Sequence, residues 1–127
     1  MLKFTIAFLA GAAAVALTST GASAQDADKG KALFNSRTCV ACHTNTGTAN
    51  RVGPPLFGVV GRKAGSVASF PGYSDDLKKA GFDWTPEKLD AWINDPKSIV
   101  PTTKMVYNGL KNEAERKDLI AYLQTLK

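Results

Sequence analysis

Histidine, cysteine and methionine are scarce in this chain, and their scarcity limits the metal chemistry that it can perform. The 127 residues include one histidine, two cysteines and two methionines. One histidine and two cysteines cannot supply the four protein ligands of a structural zinc site. Two cysteines also cannot build the framework of several disulfides that stabilises many small secreted domains.

Regular alternation of apolar and polar residues is also lacking, so no strand of any length is predicted. No segment repeats at a fixed interval, which argues against solenoids and propellers. The formal net charge is +5, but the basic residues are spread along the chain rather than clustered, and no nucleic-acid role is indicated. The composition and its patterning therefore favour a small all-α domain.

Only one long apolar run is present, and it lies near the N-terminus. Lys3 precedes the run over residues 4–17, and small residues at positions 22–24 follow it. This order is typical of a secretory signal peptide, and the run is shorter than the about 20 residues that span a bilayer. We therefore expect cleavage after Ala24, which leaves residues 25–127 as a single exported domain in the periplasm without stable membrane insertion. An uncleaved anchor is the alternative.

Caps and apolar spacing predict four helices, and one glycine in them needs an explanation. Gly30 lies inside the first helix, although glycine costs a helix about 1 kcal/mol relative to alanine. Either another backbone passes close to Gly30 or the residue is merely tolerated there. Between Gly47 and Gly72, glycine and proline are too frequent for regular structure, and the apolar content favours a loop that wraps a cofactor. The predicted helices run from about Ala27 to Arg37 with Asp26 as cap, from Ser74 to Gly81, from Thr85-Pro86 to Asp95-Pro96, and from Asn112 to Leu126.

The run Cys39-Val40-Ala41-Cys42-His43 is the most informative segment of the chain. Two thiols separated by two residues can form thioethers with the vinyl groups of a haem, and the next histidine is then placed to bind the iron. A dithiol redox motif of the thioredoxin type has the same cysteine spacing, but it would follow a strand. A disulfide between the two cysteines would be strained and redox-active. The motif and the export signal together favour one haem c per chain, bound covalently through Cys39 and Cys42.

The sixth ligand of such an iron has few candidates. His43 is the only histidine, and Met105 is the only methionine outside residues 1–24. Met105 lies in the segment 100–107, whose proline and threonines predict an extended loop that can present a thioether to a metal. Most methionines fill apolar cores, and that is the alternative for Met105. Because no other soft ligand is available to an expected haem, we predict that His43 and Met105 ligate the iron.

With these residues the sequence resembles the class I c-type cytochromes, in particular the mitochondrial-type cytochromes c and their bacterial periplasmic relatives. The resemblance extends from Asp28 to Leu126. It implies a small cytochrome c fold, in which short helices and long loops wrap one haem and the first and last helices cross beside Gly30. It rests on the haem motif and on the segments Gly53-Pro54-Pro55-Leu56-Phe57-Gly58, Gly61-Arg62-Lys63, Asp95-Pro96-Lys97, Pro101 to Met105 and Glu115 to Leu123, with Tyr73 and Trp84.

The resemblance also implies roles for residues that composition does not single out. The carbonyl of Pro54 matches the acceptor for the free ring nitrogen of the haem histidine. Arg62, Tyr73 and Trp84 match positions that hydrogen-bond the haem propionates, and Thr103 matches a hydroxyl on the same side of the methionine loop. Without the resemblance, Arg62 would be a surface cation, and Tyr73 and Trp84 would be core aromatics.

Several residues depart from the family pattern. Leu77 stands where the family often has an asparagine beside the methionine, and Trp92 stands where it often has a tyrosine. Thr38 occupies the place of a frequent docking lysine, and one extra residue lies between Phe34 and Cys39. We therefore expect a changed polar network beside the methionine and a less basic docking surface than in mitochondrial forms.

The activity that the resemblance implies is one-electron transfer without catalysis of a chemical reaction. The expected partners are met transiently at the haem edge: a quinol-oxidising complex of the cytochrome bc type as donor, and an oxidase, photosynthetic reaction centre or reductase as acceptor. The protein is expected to be a monomer. A haem ligand-binding or peroxidase-like protein with a labile methionine ligand is the alternative. The residues that could steer an acidic partner are Lys97, Lys104, Arg37 and Lys111.

Overall fold

The computed structural model describes residues 25–127, and it is all-α. Within this range the sheet-like structure is limited to one isolated bridge between Lys63 and Asp83. The expected signal peptide at 1–24 lies outside the described residues. No helix within 25–127 is long and apolar enough to cross a membrane. The helices are α1 (Ala27–Ser36), α2 (Cys39–Cys42), α3 (Asp75–Lys79), α4 (Pro86–Asn94), α5 (Pro96–Ile99) and α6 (Glu113–Gln124).

The N-terminal caps that the sequence predicts are all present. The Asp26 carboxylate accepts from the amides of Asp28 and Lys29 at 3.0 Å each, which starts α1. Ser74, Thr85 and Asn112 begin α3, α4 and α6 in the same way, each side chain accepting from the amide three residues ahead. Those distances are 3.2, 3.1 and 3.0 Å, respectively.

Two short helices were not predicted. Asp95 ends α4 as expected, but its side chain then accepts from the Lys97 amide at 3.2 Å and caps α5. A proline that cannot continue one helix is favoured at the first position of the next, so Pro96 serves both purposes. The other short helix, α2, contains both cysteines, and α1 ends at Ser36, one residue earlier than predicted.

The first and last helices cross, as the resemblance implies. Gly30 lies against the backbone of Asp118, and the Phe34 and Tyr122 rings meet edge to face with centroids 5.7 Å apart. The Asp26 amide also donates to the Asp118 carboxylate at 2.9 Å. The close approach of two backbones therefore explains the glycine inside α1.

Two loops also contribute buried residues to the core. In the loop from 43 to 74, the Gly61 and Ala64 amides donate to the carbonyls of Trp84 and Phe82 at 2.8 and 2.9 Å. The segment from 100 to 112 leads to the start of α6. Between the loops and helices lies an apolar crevice, on which the expected site residues converge.

Candidate haem crevice

The crevice is lined mainly by apolar side chains from every part of the fold. Its walls come from α1, the two loops, α3, α4 and α6. A concave apolar site with a few polar groups is the usual form of a cofactor site. The apolar lining includes Phe34, Leu56, Val59, Leu77, Trp92, Leu119 and Leu123.

The short helix α2 places both cysteines at the edge of the crevice. Cys39 and Cys42 line it as partly exposed side chains at the two ends of one helical turn. The preceding residue, Thr38, is the only described non-glycine residue with a positive φ, at 66°. The chain thus enters the motif through one left-handed residue immediately before Cys39.

A β-branched residue is strained in this conformation, and relieving the strain should stabilise the protein. Left-handed backbone costs an ordinary L-residue about 1–2 kcal/mol, whereas asparagine tolerates it. We expect Thr38→Asn to raise the free energy of unfolding of the haem-loaded protein by about 0.5–1 kcal/mol, measured by guanidinium titration. Thr46→Asn is the matched control, since Thr46 is also exposed but has no positive φ. A lower free energy of unfolding in Thr38→Asn would show that the backbone of Thr38 is not strained.

Four hydrogen-bond contacts fix His43 and the residues next to it. The Gly53 amide donates to the Cys42 carbonyl at 2.8 Å, and the Leu56 amide donates to the Thr44 carbonyl at 2.9 Å. Between them, His43 Nδ1 lies 2.7 Å from the Pro54 carbonyl oxygen. An Arg51 guanidinium nitrogen donates to the Val40 carbonyl at 2.6 Å, which ties the segment to α2.

The protonation state of His43 suits a metal ligand. The Pro54 carbonyl can only accept, so Nδ1 donates to it, and in the neutral ring this arrangement leaves the Nε2 lone pair for a metal. Burial lowers the pKa of the His43 imidazole, the hydrogen bond to Pro54 opposes this, and the positive charge of Arg62 lowers the pKa further. The neutral ring lies on the crevice wall with Nε2 as its one available ligand atom.

Met105 lies in the C-terminal part of the sequence and lines the same crevice. It is partly buried, packs against the core and lines the crevice within the extended segment that follows α5. The Met105 amide donates to the Thr103 hydroxyl at 3.2 Å, so the threonine fixes the backbone beside the thioether. The structure thus brings the two expected axial ligands to one cavity.

The residues expected to contact propionates also line this crevice: Arg62, Tyr73, Trp84 and Thr103. Burial lowers the pKa of the Arg62 guanidinium and raises the pKa of the Tyr73 phenol. An Arg62 guanidinium nitrogen donates to the Pro55 carbonyl at 2.9 Å, and the Tyr73 hydroxyl accepts from the Val67 amide at 3.3 Å. A partly buried cation in a crevice that also carries hydroxyl and indole groups is a fitting environment for carboxylates that enter an otherwise apolar site. The donor set and the lining therefore fit a haem.

The four cations expected to steer a partner differ in their surroundings. Arg37 pairs with both carboxylate oxygens of Glu115 at 3.0 Å, and Lys111 Nζ donates to the Asn94 carbonyl at 2.5 Å. Lys97 and Lys104 are exposed, and of the four only Lys104 lines the crevice. Two of the four charges are thus engaged within the molecule.

Sequence reasoning missed Gly53 and Arg51. A Cβ on Gly53 would lie 2.7 Å from His43 Nδ1, so only glycine lets the loop pack against the imidazole. Gly53 entered the sequence analysis only as part of a segment that carries the resemblance, and no role was assigned to it. Arg51 carried no signal, because its contact with the Val40 carbonyl depends on the folded loop.

Comparison with known proteins agrees with the geometry. The profile of the Cytochrome c family matches residues 27–127. A cytochrome c from Cochliobolus lunatus is 44% identical over 100 residues, which cover 78% of this chain and 91% of that protein. A cytochrome c2 from Rhodopila globiformis is 46% identical over 102 residues, covering 80% and 94% of the two chains.

A solved structure supports the same fold. Cytochrome cH from Methylobacterium extorquens superposes with a TM-score of 0.72 at 46% identity, covering 79% of this chain and 98% of that one. One family thus explains three features: the crossing of α1 and α6, the haem motif on α2 and the apolar crevice. The chain belongs to the cytochrome c family, whose members are electron carriers, and it binds haem c covalently through Cys39 and Cys42.

Proposed function

We propose that this protein is a periplasmic one-electron carrier in which His43 and Met105 are the axial ligands of the haem iron. The observation that carries the proposal is the convergence of the His43 imidazole and the Met105 thioether on one apolar crevice. The His43 ring is fixed by the Pro54 carbonyl, which also raises the basicity of Nε2. Export is supported by the signal-like residues 1–24.

Haem bound in this crevice supplies a metal centre that gains and loses one electron. The protein contributes two fixed ligand atoms, so that little needs to rearrange when the charge changes. The apolar walls disfavour the additional positive charge of the oxidised state, and a thioether ligand does the same, so we propose a positive reduction potential. Arg62, Tyr73, Trp84 and Thr103 would balance and orient the propionates.

The proposed partners are acidic redox proteins met at the exposed edge of the crevice. A quinol-oxidising complex of the cytochrome bc type would donate the electron, and an oxidase, reaction centre or reductase would accept it. Lys104 at the crevice and the exposed Lys97 are the best placed of the four candidate cations. Their attraction would be long-ranged and would weaken as ionic strength rises.

The test is an absorption spectrum of the protein purified from a periplasmic fraction, oxidised and reduced, with and without carbon monoxide. We expect sharp low-spin bands that carbon monoxide leaves unchanged, together with an iron-to-sulfur charge-transfer band in the oxidised form. The mass of the same sample should correspond to residues 25–127 with one haem. A ready shift with carbon monoxide would instead indicate an open iron and the ligand-binding alternative.

A further inference from the structure

The segment that carries Met105 makes few hydrogen bonds of its own. We call residues 102–111 the methionine strap. Within the described part of the chain, residues 104–109 make a single hydrogen bond, from the Met105 amide to the Thr103 hydroxyl. A segment without regular hydrogen bonding is held in place chiefly by its ends.

The C-terminal end of the strap is firmly attached. The Leu110 amide donates to the Ile93 carbonyl at 2.8 Å. The buried Arg116 guanidinium donates to the carbonyls of Leu110 and Lys111 at 3.0 and 2.9 Å and pairs with the Asp90 carboxylate at 2.8 Å. Gly109 fits closely against the Asn94 backbone, because a Cβ there would lie 2.8 Å from the Asn94 carbonyl carbon.

The N-terminal end has one side-chain attachment to another element. The Thr102 hydroxyl donates to the Asp76 carboxylate, which lies in the first turn of α3. The remaining hydrogen bond at this end is local, from the Thr103 amide to the Val100 carbonyl at 3.0 Å. Thr102 therefore joins the strap to α3, whose Leu77 lines the crevice, three residues before Met105.

The side chains under the strap offer it little polar support. Leu77 of α3 is buried and apolar and lines the crevice, and Trp92 of α4 lies there as well. The polar attachment between α3 and the strap is thus made at the surface by Asp76 and not inside by Leu77. A charge-assisted hydrogen bond between two elements is stronger than a neutral one.

We propose that Asp76 is a positioning residue that acts through Thr102 to hold the methionine strap closed, and so keeps the Met105 thioether against the haem iron. This inference rests on the proposed ligation by Met105. An external ligand binds the iron only when the strap has opened, so its apparent affinity follows the fraction of open molecules. Loss of the Asp76 contact raises that fraction.

The test measures binding of imidazole to the oxidised, haem-loaded protein by absorption spectroscopy. We expect Asp76→Ala and Thr102→Val each to raise the imidazole affinity about fivefold, which is the size of one net hydrogen bond. The double variant should gain no more than either single variant, because both remove the same contact. Thr102→Ser keeps the hydroxyl and should behave as the unaltered protein.

Asp75→Ala is the matched control. Asp75 lies in the same first turn of α3, carries the same charge and contacts Lys78 at 3.8 Å rather than the strap. It should leave the imidazole affinity unchanged. An equal rise in Asp75→Ala and Asp76→Ala would overturn the proposal, because the cause would then be the charge on α3. Unchanged affinity in Asp76→Ala and Thr102→Val would overturn it too.

Hydrogen–deuterium exchange of the strap tests its attachment to Asp76 independently of the proposed ligation by Met105. If the unaltered protein lacks the iron-to-sulfur band, the ligation by Met105 is wrong. Exchange of peptides covering 102–111 then still decides whether Asp76 holds the strap. Exchange that is faster in Asp76→Ala and unchanged in Asp75→Ala supports the attachment, and equal exchange in all three proteins refutes it.

Discussion

Replacement of Met105 by alanine should lower the reduction potential of the haem by more than about 0.1 V and should allow carbon monoxide to bind the reduced protein. A thioether stabilises the reduced iron, and axial ligands as a class shift haem potentials over about 0.8 V. Alanine has no ligand atom, and the remaining lining of the crevice near the strap is mainly apolar. Redox titration and carbon monoxide difference spectra measure the two effects.

Two further variants show whether the change is specific to the ligand. Asn108→Ala alters an exposed side chain of the same strap that does not line the crevice, and it should leave both potential and carbon monoxide binding unchanged. Met105→His keeps a sixth ligand but replaces sulfur with nitrogen, so it should lower the potential without opening the iron. If Met105→Ala retained the potential of the unaltered protein, Met105 would be a core residue and the carrier proposal would lose its sixth ligand.

Local chemistry made most helices predictable from the sequence. Asp26, Ser74, Thr85 and Asn112 are short polar residues placed directly before apolar spacing, and each accepts the backbone hydrogen bond that starts a helix. The signal is local, because a cap and its partner are three residues apart or fewer. The haem motif was equally clear, since its five residues are contiguous.

Contacts between distant residues were not predictable in this way. Asp76 and Thr102 are 26 positions apart, and nothing around either residue indicates the other. Arg37 was expected to help steer an acidic partner, and its pairing with Glu115, 78 positions away, forms only once α1 and α6 cross. Asn112 and Glu115 have the spacing of a capping box, but the Glu115 side chain binds Arg37, and only the Asn112 side chain makes its capping hydrogen bond.

The role of Gly30 was only partly predictable from the sequence. The sequence posed the question, because glycine weakens a helix, but left close packing and simple tolerance equally open. Only the resemblance favoured packing, and the structure places the Asp118 backbone there. A glycine in a helix thus indicates a contact without naming the residue on the other side.

That contact leads to the second large effect: Gly30→Ala should lower the free energy of unfolding of the haem-loaded protein by about 1–2 kcal/mol, the net of overpacking and the gain in helix propensity. A Cβ at this position would lie 2.7 Å from the Asp118 carbonyl carbon and 2.7 Å from Tyr122 Cβ, and would overlap the Asp118 oxygen. Overpacking of this kind costs about 1–3 kcal/mol, and here the neighbour is backbone, which cannot rotate away. Guanidinium unfolding, followed by haem absorbance and by helix content, measures the loss.

Whether Gly30→Ala is less or more stable than the unaltered protein shows whether close helix packing or helix propensity dominates at this position. Alanine favours an isolated helix by about 1 kcal/mol over glycine, so a glycine that was merely tolerated would give a stabilised variant. Lys31→Ala is the control, since Lys31 is exposed on the same helix and should change stability by less than about 0.5 kcal/mol. Because Phe34 lies one turn beyond Gly30 and lines the crevice, a helix displaced by the added methyl group would also loosen the wall of the haem site. A more stable Gly30→Ala protein would show that α1 and α6 can separate without loss, and the crossing would then not be what holds that wall in place.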